Sequence, residues 1–156
     1  IMRNLNFTPV GYSPTNGKRK FYFKQIYSKS SGKAFKPELH TKSFSAFDPT
    51  GTKNSVEVEF KNLETIMAEQ KLSELEIVKT DIEGFCFEFA KELFEKQIKF
   101  KVWATEVELG LTASFEQNFE EVREMCANLG KDNYVFVNRR RLKPMLELIF
   151  VNKNES

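Results

Sequence analysis

Residues 77–85 read IVKTDIEGF. Ile77 and Val78 begin as a buried strand begins. Lys79, Thr80, Asp81 and Glu83 then bring an ammonium, a hydroxyl and two carboxylates, and Gly84 leads into a helical pattern. Parallel strands covered on both faces are almost continuously apolar, so this break at the carboxyl end needs a cause. Unpaired buried charges are strongly unfavourable even after relaxation, so these groups must pair, meet water or meet a ligand. In open α/β sheets, ligands bind outside the carboxyl ends of the strands, which makes the cluster a candidate site. The competing reading is an amphipathic edge strand. Lys79 and Asp81 would then lie in solvent, and Glu83 would favour the positive end of the following helix. The residues alone leave both open.

Working outward, 75–82 is the strand that ends in this cluster, and the helix from Gly84 carries Cys86, Phe89, Ala90 and Leu93 at i, i+3, i+4, i+7. Upstream, 55–60 (SVEVEF) alternates at period two. Asn62 is placed to cap a helix with Leu63, Ile66 and Met67 on one face. Downstream, 99–109 is a strand that puts Phe100, Val102, Ala104 and Glu106 on a common face. Ser114 and Gln117 form a capping box for a helix with the stripe Phe115, Phe119, Val122, Cys126 and Leu129, ended by Gly130. Strands at about 134–138 and 146–152 close the chain. At the start, 7–12 and 19–26 are strands joined through Pro14 and Asn16-Gly17. The segment 27–54 lacks periodicity and reads as a long loop, functional or mobile. The order after residue 54 is β-α-β-α-β-α-β-β. This predicts an α/β fold in one domain over 1–156, with a mostly parallel sheet and an antiparallel carboxyl-terminal strand pair.

A chain of 156 residues is enough for one domain with a core. Sixteen phenylalanines predict an aromatic-rich interior. A net charge of +2 demands neither nucleic acid nor membrane as partner. No apolar run reaches the roughly 18 residues of a spanning helix, and no signal-peptide pattern opens the chain. Cys86 and Cys126 lie in apolar stripes, so free thiols in a reducing compartment, the cytoplasm, are expected. The chain begins at Ile1 in already patterned sequence. That predicts a fragment, with Met2 as a true start the alternative.

Lys79, Asp81, Glu83 and Gly84 together make a lysine-x-aspartate-x-glutamate-glycine strand end. In this setting the segment from Val56 to Glu108 resembles the FkbM family of S-adenosylmethionine-dependent methyltransferases. VEVEFKNLETIMAEQKLSELEIVK is similar to that family's lead-in, KVWATEVE to its next strand with Glu106 as the matching glutamate, and LNFTPVGYSPTNGKRKFYF to its preceding strand pair. The resemblance implies a partial Rossmann-like methyltransferase sheet. It also implies O-methylation of a small acceptor, sugar-like in kind, with S-adenosylmethionine as cofactor. One departure is large. The acidic glycine-rich loop that wraps the cofactor in such enzymes has no counterpart, because the glycines at 11, 17, 32, 51, 84, 110 and 130 are scattered. The resemblance therefore implies the carboxyl-terminal part of the enzyme, inactive alone, with the cofactor loop expected before Ile1.

Methyl transfer from a sulfonium needs an aligned oxygen and a group to take its proton. The resemblance makes Asp81 the first candidate for that base or for orienting the acceptor, and Glu83 the second. Lys79 would keep either ionised, while Gly84 with Asp81 would face the cofactor. Glu106 and the lone His40 are acceptor-side candidates, each with a plain solvent reading beside it. Two carboxylates without further ligands make a poor metal site, and none is expected. Arg139, Arg140, Arg141 and Lys143 raise nucleic acid, but no aromatic stacking pattern accompanies them. The alternatives to an enzyme are a non-catalytic binding module of the same fold and, behind it, a basic nucleic-acid binder.

Overall fold

The computed structural model describes residues 9–25, 41–45, 55–82, 84–110, 113–139 and 145–155. Among these residues, eight strands and three α-helices follow one another as β1 (Gly11–Tyr12), β2 (Gly17–Gln25), β3 (Thr41–Ser45), β4 (Ser55–Lys61), α1 (Leu63–Gln70), β5 (Leu75–Thr80), α2 (Cys86–Glu95), β6 (Phe100–Glu108), α3 (Phe115–Leu129), β7 (Asn133–Arg139) and β8 (Met145–Asn152). The α/β alternation after residue 54 is as the sequence predicts. Thr41–Ser45, inside the span read as a loop, is a strand. Its pairing with β2 is long-range, with Phe23 opposite Phe44, and no local period announces it.

The strands form two four-stranded sheets, ordered β1-β4-β2-β3 and β5-β6-β8-β7. The expectation of a mostly parallel sheet is corrected here. Only β1–β4 and β5–β6 pair in parallel among the described residues, and the other four pairings are antiparallel. The reason is topological. A helix crossover links β5 to β6, but β8 returns from the β7 hairpin and inserts beside β6, so the antiparallel pair fills the sheet's interior as well as its edge. β5 is an edge strand in this sheet, not a central one, and Ile77 is 80% exposed.

Local signals place the helices. Asn62 caps α1, its side chain accepting from Thr65 N–H at 2.9 Å. Ser114 and Gln117 close the reciprocal box at α3, with bonds of 3.2 and 3.1 Å. Helices α2 and α3 pack on one face of the second sheet. Cys86, Phe89, Ala90 and Leu93 of α2 meet Trp103, Val107, Leu148 and Phe150 there. Trp103 stacks on Phe150 at 5.1 Å between centroids and tilts against Phe89 at 5.4 Å. The aromatic-rich core is thus real, and each such fully buried side chain contributes on the order of 1.5–3 kcal/mol.

The α3 stripe needs correcting. Phe115 and Phe119 are 48% and 44% exposed and stack on each other, while Asn118, Val122, Met125 and Leu129 are buried. The helix is turned so that Asn118 can accept the Gly110 N–H at 2.8 Å. Asn118 is 0% exposed, and a buried amide left unpaired is costly, so its side chain takes the inner face ahead of the two phenylalanines.

Candidate active site

The strand β5 delivers the charged cluster in an alternating way. Thr80 points into the core, while Lys79, its neighbour in the strand, and Asp81, one residue past the strand's end, are exposed. A turn follows, closed by Phe85 N–H donating to Ile82 O at 2.9 Å, and α2 begins at Cys86. Gly84 sits at φ 92. That left-handed backbone strains any residue with a Cβ, which explains the glycine at the strand-to-helix corner.

Register brings two more candidates alongside. Lys79 pairs with Ala104 and Thr80 with Thr105, so Glu106 lies one step further along β6, level with the end of β5. Glu106 is half-buried and faces Glu147 on β8 across the antiparallel pair. Glu147 is a residue that sequence reasoning missed. It accepts from Asn138 Nδ2 at 3.0 Å. The register thus sets two carboxylates opposite each other beside the charged strand end of β5. Only the antiparallel register reveals it, because MLELIF by itself reads as ordinary alternation.

The structure therefore gathers Lys79, Asp81, Glu106 and Glu147 at the carboxyl ends of the one parallel pair in this sheet. Glu83 and His40 lie outside the described residues, as do Arg140, Arg141 and Lys143. Arg139 is exposed at the end of β7. Three hollows outlined by described residues lie elsewhere, one of them over α3 at Glu120, Arg123 and Ala127. A cavity of roughly 670 Å³ lies at the opposite end of the sheet, against Glu74, Lys99, Phe100, Asn133 and Asn152. A groove of roughly 400 Å³ runs between α2 and α3, over Ala90, Phe94 and Met125. Neither is lined by Lys79, Asp81 or Glu106.

Away from the strand tips, Glu92 is 8% exposed, accepting from the Tyr12 hydroxyl at 3.0 Å and from Glu64 N–H at 3.2 Å. Burial, and then the Glu92 charge, hold the Tyr12 hydroxyl well above its ordinary range. Burial with the nearby Glu88 carboxylate pushes the Cys86 thiol up to about 12, and burial raises Cys126 too. Both cysteines are free thiols, as expected from their stripes. No helix among the described residues is long and apolar enough to cross a membrane.

Comparison with curated proteins and with solved structures gave no match. The sequence profile of the methyltransferase FkbM domain matches residues 2–136. That span includes β1 to β6, the Lys79-to-Gly84 strand end and α3. The chain belongs to the FkbM methyltransferase family.

Proposed function

We propose that this chain is the carboxyl-terminal part of an S-adenosylmethionine-dependent O-methyltransferase acting on a hydroxyl of a small, sugar-like acceptor. The observation that carries the reading is the charged end of β5, Lys79 and Asp81 followed by Gly84 at φ 92, beside Glu106 on the parallel neighbour β6. The strand order β5-β6-β8-β7, with α2 and α3 on one face, is consistent with the rear half of a Rossmann-like sheet. In this reading Asp81 accepts the acceptor's hydroxyl proton as the new bond forms, or fixes the hydroxyl through a hydrogen bond. Glu83 is the second carboxylate for that task. Lys79 adds a positive charge beside the carboxylates at the strand end. Glu106, with Glu147 beside it, orients further hydroxyls of the acceptor, for which carboxylates are good hydrogen-bond acceptors.

The described residues do not by themselves fit the cofactor. Asp81 is exposed, the hollows at the far end of the sheet and between α2 and α3 lie away from it, and no glycine-rich acidic loop stands in the sequence. When bound, S-adenosylmethionine supplies the electrophilic methyl group; this chain contributes one wall of that site. Calorimetric titration of the chain alone is expected to show no micromolar affinity for S-adenosylmethionine. In the complete protein, Asp81→Asn is expected to lower turnover by about 10²-fold or more, in the range general bases contribute, with cofactor affinity changed less than about twofold. Equal turnover in the variant removes the assignment.

A second reading is a non-catalytic module of the same fold. The exposure of Lys79 and Asp81 on an edge strand favours it. The Asp81→Asn comparison separates the two, since a binding module has no turnover to lose.

A further inference from the structure

The hallmark leaves the position between Lys79 and Asp81 open, and here Thr80 fills it. Thr80 is 6% exposed and Trp103, on β6, is fully buried. The Trp103 indole N–H donates to Thr80 Oγ1 at 2.9 Å, inside the core. Trp103 cannot shift to accommodate a moving partner. It is stacked on Phe150, tilted on Phe89 and met edge-on by Phe100 at 6.4 Å. Indole is a donor only, so a buried Trp103 without an acceptor would leave its N–H unsatisfied. β5 in turn is hydrogen-bonded to a neighbour on one side only among the described residues. Its tip therefore has half the backbone anchoring of an interior strand, at the point where the ladder ends with Thr80 opposite Thr105.

We propose that the Trp103–Thr80 hydrogen bond is a positioning device. It pins the tip of β5 to the rigid aromatic core, and because side chains alternate along a strand, it thereby holds Lys79 and Asp81 turned to the opposite, open side. Trp103 and Thr80 touch no substrate; they act through Asp81. The importance of this for chemistry rests on the methyltransferase reading, but the device itself does not.

The test uses the full chain, isotope-labelled, with Thr80→Val and Thr80→Ser. Valine keeps the shape and removes the acceptor; serine restores the oxygen. In Thr80→Val the Trp103 indole resonance is expected to move, and amide exchange at residues 79–81 to accelerate at least tenfold, while the β6–β8 ladder exchanges as in the parent. Thr80→Ser is expected to recover both readouts. Unchanged exchange at the tip overturns the proposal. So does acceleration spread evenly over the whole sheet, which would mark a merely structural bond. Should Thr80→Val fail to fold, Thr80→Ser against Thr80→Ala provides the same comparison. None of these readouts needs a substrate, so failure here is distinct from failure of Asp81→Asn to alter turnover.

Discussion

At Tyr12 a single hydroxyl joins three elements. It donates to Glu92 of α2, which also accepts from the first turn of α1, so β1, α1 and α2 meet on one carboxylate. Glu92 is invisible to a periodicity search, which sees an interruption of the apolar stripe. Tyrosine in an unfolded chain titrates near 10, and folded Tyr12 keeps its proton to higher pH, first through burial and then through Glu92. The unfolded state therefore releases the proton first. The contribution is complete below pH 10 and is lost as pH rises above it. Urea midpoints measured between pH 8 and 11.5 are expected to fall more steeply above pH 10 in the parent than in Tyr12→Phe, which starts lower. The thiols give a second residue-scale test. Thiolate is the reactive form, and Cys86 is 4% exposed with its thiol at about 12. Iodoacetamide at pH 8 is expected to label Cys126 slowly and Cys86 only in denaturant, as read by mass spectrometry.

Among the elements, α3 shows how a correct boundary can accompany a wrong face. Ser114 and Gln117 mark the start because each side chain accepts from the other's backbone N–H, a local matter that survives any tertiary context. Ser114→Ala is expected to cost about 1 kcal/mol in chemical denaturation. The buried face was decided by Asn118 reaching Gly110 and by Met125 and Leu129 meeting α2. Met125→Ala is accordingly expected to cost about 2–4 kcal/mol, and Phe119→Ser less than about 0.5 kcal/mol. Equal costs would restore the phenylalanine stripe to the core.

Over the whole molecule, the second sheet is covered on one side by α2 and α3 and bears an open apolar surface on the other. Register lines up Ile77, Val102, Val151 and Tyr134 in one row, and Lys79, Ala104, Ile149 and Phe136 in the next. Ile77, Tyr134, Phe136 and Ile149 are all exposed. Contiguous apolar surface of this kind promotes association, and the edge of β5 adds unpaired backbone groups. Ile77→Thr combined with Phe136→Thr is expected to lower both binding of an apolar fluorescent dye and self-association in sedimentation, with circular dichroism unchanged. An unaltered sedimentation profile would show that this face does not drive association.

The sequence by itself determined the succession of elements after residue 54, the Asn62 and Ser114 caps, the α2 stripe and the charged strand end at Gly84. Each of these depends on bonds or periodicities spanning only a few residues. The tertiary structure alone decided that β8 inserts beside β6, that β5 is an edge, that Glu147 faces Glu106, and that Thr80 is held by Trp103. Those outcomes depend on which distant strands pair and in what register, and a one-residue slip in register exchanges the two faces of a strand. Local pattern carries no information about that choice.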